Sequence, residues 1–171
     1  MGRTTELRRE LKRRFYPFVA GHGFQVDTKY GPIGTDFRRI TSTCVDVFDI
    51  QWEKYGRPRF VLNFGKTPAD GVMHFDEQVP PEKVLSYMGA QSGRLQPRRG
   101  PSANSWFRQD PTFFRRVLLR QPDRHPTDVV DELLVLFPEL EEWFKNGQVG
   151  PHMSLVVYPW TKTAAQSSHA P

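Results

Sequence analysis

The chain has 171 residues, enough for one domain with a sizeable core and too few for two comfortable ones. Thirteen phenylalanines, five tyrosines and four tryptophans exclude a disordered chain, and 15 prolines with 13 glycines stay below low-complexity levels. The net charge of +5 is unevenly spread. Residues 1–60 carry twelve basic and seven acidic side chains, residues 90–124 eight arginines against Asp110 and Asp123, and residues 125–147 one lysine against six acids. A basic body with an acidic segment can bind polyanions or neutralise itself within the fold, and the second is the commoner use of charged faces. Cys44 is the single cysteine, which excludes an internal disulfide and any zinc site built on paired cysteines. The N-terminus has no apolar run, and nowhere do about eighteen apolar residues follow one another, so a cytoplasmic protein without a membrane span is expected.

In chain order, Leu7, Leu11, Phe15, Phe18 and Val19 recur at spacings of three and four and predict a helix over 5–20, capped by Thr4 or Thr5 and closed at Gly21. Its other side carries Arg8, Arg9, Lys12, Arg13 and Arg14. Residues 36–41 read as a strand. Phe48, Ile50 and Trp52, then Phe60, Leu62 and Phe64, alternate with mostly polar neighbours. A hairpin turning at Gly56 pairs Phe48 with Phe64, Ile50 with Leu62 and Trp52 with Phe60. It also sets Asp49 beside Asn63 and Glu53 beside Arg59, and a one-residue slip would destroy the match. The preceding strand places either Arg38 or Arg39 opposite Asp46.

Gly71–Phe75 suggests another strand, Pro80-Pro81 a short helix through Met88, and Gly93–Gln96 a short strand. Phe113–Leu119 suggests a helix begun at Asp110-Pro111. Val130, Leu133, Leu134, Phe137, Leu140 and Phe144 predict a long helix over 127–146, interrupted or kinked by Pro138 and capped by Gly147. Residues 153–158 could add an edge strand. The expected architecture is a single α+β domain over 1–160, an antiparallel sheet of four to five strands with helices packed mainly on one face, followed by a flexible tail over 161–171.

Chemistry-bearing motifs are sparse. No two of the five histidines stand three or four apart, and no phosphate-loop, nucleophile-elbow or SxxK pattern occurs. His74 and Asp76 could share a strand face as ligands, a pattern common by chance; no metal and no cofactor are expected. Two candidate surfaces remain. Arg39 (or Arg38), Asp49, Gln51 and Asn63 offer guanidinium, carboxylate and carboxamide groups on the hairpin's polar face, suited to hydrogen-bonding a ligand. Arg8, Arg9, Arg13, Arg98, Arg99 and Trp106 offer guanidinium forks with an aromatic ring, suited to nucleic acid or another polyanion.

The run of helix 7–19, Gly21-His22-Gly23-Phe24, Phe37-Arg38-Arg39, Asp49-Ile50-Gln51, Phe60-Val61-Leu62-Asn63-Phe64-Gly65 and Gly93-Arg94-Leu95 before Ser105-Trp106 resembles the bacterial family called domain of unknown function 4304. The likeness rests on order and spacing over residues 5–145. It highlights Phe24, Arg39, Gln51, Asn63, Gly65, Arg94 and Trp106, departs where Phe107 follows Trp106 in place of a second tryptophan, and leaves 148–171 unmatched. The resemblance implies a cytoplasmic bacterial protein and supplies no activity. The expected function is a non-catalytic binding module for a protein partner, with a nucleic-acid binder and an unrecognised hydrolytic enzyme as alternatives.

Overall fold

A computed structural model describes residues 3–27, 34–100 and 105–156. Helix α1 (Arg3–Glu10) runs through a π turn (Leu11–Phe15) into α2 (Tyr16–Gly21). The π turn follows from the sequence. Leu7, Leu11, Phe15 and Val19 are all buried at a strict spacing of four, whereas an α-helix repeats every 3.6 residues, so the stripe would drift by about 40° at each step. One wider turn, with Tyr16 N–H donating to Leu11 O, brings Phe15 and Val19 back over the core. The chain leaves this helix at Gly23, whose φ of 85° supplies the left-handed turn expected of Gly21.

Strands β1 (Gln25–Asp27), β2 (Gly34–Ile40), β3 (Cys44–Trp52) and β4 (Arg59–Pro68) then form an antiparallel meander. The β3–β4 register pairs Phe48 with Phe64, Ile50 with Leu62 and Trp52 with Phe60, as the alternation requires. The β2–β3 register resolves the open choice: Arg39 faces Asp46 and Arg38 faces Val47. Strands β5 (Val72–His74) and β6 (Glu77–Val79) make a separate two-stranded sheet. The main sheet continues with β7 (Gln91–Leu95) against β4 and β9 (Met153–Val156) against β7, while β8 (Phe107–Arg108) pairs with the start of β4.

The sheet therefore has seven strands, more than the four to five expected. β1 and β8 are three and two residues long, too short to show any alternation, and 72–74 belongs to the other sheet. The helix expected from Pro81 through Met88 shrinks to a 3₁₀ turn at Pro81–Lys83, because Val84 returns to extended backbone and buries its side chain. α3 (Phe113–Leu118) is short, and α4 (Pro126–Asn146) runs as one element through Pro138 to Gly147. His125 caps it: its Nδ1 accepts from the Thr127 N–H.

Two clusters form the core. The larger joins α1, the π turn, α2 and α4 to one face of the sheet: Phe15 and Phe137 meet Phe48 edge-on at 6.0 and 5.5 Å, Phe37 stacks on Phe48 at 4.6 Å, and Trp143 sits 4.5 Å from Phe64. The smaller cluster lies on the reverse face, where Val45 and Val47 pack with Val84 and with Val72 and Val79 of the small sheet. No described residue of α3 belongs to either cluster, so the helices do not all pack on one face. Residues 161–171, expected to be a tail, lie outside the described residues, as do 157–158 of the expected edge strand.

Candidate functional site

On the reverse face the registers align one polar residue from each of six strands in a single row: Asp27, Asp36, Asp49, Asn63, Arg94 and Ser154. Period-two alternation puts all six side chains on that face. Within the row Asn63 Nδ2 donates to Asp49 Oδ2 at 2.9 Å and to Gln51 Oε1 at 3.1 Å, Arg94 Nε donates to Asn63 Oδ1 at 3.1 Å, and Ser86 Oγ donates to Asp49 Oδ1 at 2.5 Å. Arg38, two residues along β2, donates from Nη1 to Asp27 Oδ2 at 2.9 Å and from Nε to Val84 O at 2.7 Å.

The row's electrostatics are lopsided. Asp36 and Asp49 are cross-strand neighbours with little access to water. Burial, helped by the charge of Asp49, pushes the Asp36 carboxyl up to about 6. Burial also raises Asp49, against the lowering effect of its hydrogen bonds from Ser86 and Asn63. Gly65 makes this arrangement possible. A Cβ there would stand 2.0 Å from Ser86 O, so only glycine lets the segment after the 3₁₀ turn lie down on the sheet and bring Ser86 to Asp49.

Of the four expected ligand-binding residues, Asp49, Gln51 and Asn63 do come together, and Arg39 does not. Arg39 shares the helix-covered face with Phe37 and Asp46, because the register puts odd-numbered β2 residues there; Arg38 is the arginine of the polar face. Arg39 instead ties elements together. Nη2 bonds Asp46 Oδ2 and Nη1 bonds Glu141 Oε2, both at 2.9 Å; Nη1 also donates to His22 O, and the guanidinium lies 4.4 Å over the Phe24 ring. Within the triad the bonds point inward, so its members chiefly satisfy one another.

The six residues expected to bind a polyanion divide likewise. Arg8 lies 4.1 Å over Trp52, and Arg13 is held by Glu10 at 2.7 Å, both local contacts of the helix. Arg9, also from this helix, is exposed, as are Arg98 and Arg99; Trp106 is half-buried, with the Arg59 guanidinium 5.2 Å over its ring. Arg59, Arg98 and Trp106 line a cavity of about 520 Å³, together with Arg108, Gln109 and Arg124. Arg108 is spent on Asp110 and Arg124 on Glu132. The cavity lies at the base of an excursion closed by Arg124 N–H donating to Gln109 O at 2.8 Å, and α3 is carried at the excursion's outer part.

There Phe114, Val117, Leu118 and Leu119 are 72, 56, 69 and 71% exposed. The sequence raised these apolar residues as a helix and missed that no described residue covers them; the uninterrupted apolar-basic run from Phe113 to Arg120, which no single helix face can bury, was the available signal. Ser86 and Gln109 were missed too, since only tertiary contacts bring them to their sites. The remaining chemical candidates stay apart. Cys44 is half-buried, its Sγ 3.4 Å from Thr41 Oγ1 and 3.6 Å from Asp46 Oδ1. His74 meets Phe75 and Tyr87 edge-on at the β5–β6 turn, and among the described residues no three His, Cys, Asp or Glu side chains gather as metal ligands. None of the described helices is long and apolar enough to cross a membrane. Compared with known proteins, the chain matches no family model, no curated protein and no solved structure.

Proposed function

We propose that this protein is a non-catalytic binding module for a protein partner, and that the partner docks on the excursion bearing α3. The observation that carries the reading is the exposure of four large apolar side chains there, Phe114, Val117, Leu118 and Leu119, within six residues. Soluble proteins seldom leave such a group uncovered without a use for it, and large apolar side chains at the centre of a contact supply most of its affinity. Arg120 is exposed beside them, while Arg116 is held by Asp123 at 2.6 Å, so the complementary surface is chiefly apolar. The polar row of the sheet supports the same reading by default: its bonds run between its own members, which makes it scaffold more than recognition surface.

The test uses the full chain as bait in a lysate of its own host at moderate salt, beside a Leu118→Glu/Leu119→Glu variant. One stoichiometric protein retained by the wild type and lost by the variant is expected, with an unchanged melting temperature because both side chains are exposed. Equal recovery by both baits, or a nuclease-sensitive excess at 260 nm that vanishes steeply with salt, would overturn the proposal.

A further inference from the structure

The β5–β6 hairpin is firm at its base and strained at its tip. At the base Val72 and Val79 pack on Val45, Val47 and Val84. At the tip His74 pairs with Glu77, so Phe75 and Asp76 alone make the turn, with φ of 48° and 63°. Two-residue turns of this hand normally use asparagine and glycine, and a bulky aromatic residue enters the left-handed region only at a steric cost. Strain of that kind gathers where a side chain is held out for recognition. Here it holds out Phe75, which is 76% exposed and braced by the His74 ring at 4.4 Å, and Met73 beside it is 61% exposed.

The hairpin is also acidic in a basic protein. Residues 70–79 carry Asp70, Asp76 and Glu77 and no lysine or arginine, whereas the whole chain is +5. All three acids are exposed, and none makes an ion pair among the described residues. The excursion bearing α3 has the opposite character. No acid lies between Pro111 and Pro122, and Arg120 is exposed beside Leu118 and Leu119 with no ion pair among the described residues. The two patches sit at opposite ends of the sheet. β5 follows the Pro68 end of β4, while β8, which leads into the excursion, pairs with Arg59 and Phe60 at the other end. Nine steps of antiparallel strand separate those ends by roughly 30 Å. Phe75 and Phe114 both stay exposed, so neither patch covers the other within one chain.

We infer, resting on the reading of α3 as a docking surface, that its partner is a second copy of this chain, whose β5–β6 hairpin receives α3. Phe75 and Met73 of one copy then lie against Phe114, Leu118 and Leu119 of the next, with Asp76 and Glu77 toward Arg120. Charge selects this head-to-tail arrangement over a two-fold one. Joining α3 to α3 would face Arg120 with its own copy, and joining hairpin to hairpin would do the same to Asp76 and Glu77. A head-to-tail contact leaves a hairpin free at one end and an α3 free at the other, so it repeats into chains or rings.

The test is the molar mass of the purified full chain, followed by sedimentation velocity as protein concentration rises. The wild type is expected to grow from monomer into dimers and longer chains. Leu118→Glu/Leu119→Glu and Phe75→Asn are each expected to stay monomeric. Phe75→Asn should keep or raise the melting temperature, because asparagine tolerates the left-handed turn better than phenylalanine does. Each variant retains one intact half of the contact, so an equal mixture of the two is expected to give a 1:1 dimer that grows no further. A two-fold contact through either patch would not be restored by mixing. A wild type that stays monomeric at every concentration, a Phe75→Asn variant that associates as wild type does, or a mixture that stays monomeric would overturn the inference. A monomeric wild type that still captures a different host protein through Leu118 and Leu119 would end the second copy and leave the docking reading standing. Equal capture by the wild type and the Leu118→Glu/Leu119→Glu variant would end both.

Discussion

At the residue scale the polar row makes a prediction with a definite sign. The Asp36 carboxyl titrates near 6 in the folded chain and near 3.8 when unfolded, so the folded state prefers the protonated acid. Stability contributed by that proton is full below pH 4 and is lost as pH rises through 6, up to about 3 kcal/mol at one kilocalorie and a third per pKa unit. Asp36→Asn removes the titration. Chemical denaturation of the variant should show a shallower loss of stability between pH 4 and 7 than the wild type and a more stable protein at pH 7.5; an unchanged slope would mean that Asp36 stays ionised beside Arg38. Gly65 acts through space alone. Gly65→Ala puts a methyl into Ser86 O, and the sheet or the overlying segment must shift, at about 2–3 kcal/mol in denaturant unfolding. Sequence reading reached Asp49 and Asn63 because their strand periodicity was clear, and Gly65 only through the family resemblance. It could not reach Ser86, which contacts Asp49 from 37 residues away.

Among the elements, the first helix records its own irregularity in its spacing. Deleting exposed Lys12 would convert the buried positions from 4-4-4 to 4-3-4, the repeat a plain α-helix prefers. The deletion variant is therefore expected to fold, to keep its helical circular dichroism and to lose no more than about 1 kcal/mol, since the π turn is an insertion the helix can shed. Cooperative unfolding lost altogether would show that the wide turn itself positions Tyr16 and Phe18. Arg39 is the corresponding joint between elements: strand β2, strand β3, the end of α2 and helix α4 all meet on its guanidinium. Arg39→Met leaves Glu141 without this cation and Asp46 with only Lys66 at 3.9 Å, and is expected to lower stability by roughly 2 kcal/mol, discounted from a fully buried pair because both Arg39 and Glu141 retain some water. Gln51→Ala, at an exposed end of the polar row, should change stability by less than about 0.5 kcal/mol.

Across the whole molecule, charge is largely settled inside the chain. The acidic helix α4 takes Arg14 on Asp131, Arg39 on Glu141 and Arg124 on Glu132, so much of the imbalance between the basic and acidic segments is internal neutralisation. What is left over, the exposed apolar residues of the excursion, gathers in residues 114–119, where the docking surface is placed. The sequence by itself determined the elements whose periodicity is long enough to be unambiguous: the first helix, the β3–β4 hairpin down to its register, and α4. Each of these is fixed by local patterning, where one wrong residue would turn an apolar face to water. Tertiary structure alone decided the rest. Which face Arg39 or Arg38 occupies depends on the β2–β3 register. Strands of two or three residues exist only because longer neighbours offer them hydrogen bonds. The cavity has walls because two distant segments close on each other through Gln109 and Arg124, and burial and cavity shape follow from the packing of the whole chain, which no local pattern specifies.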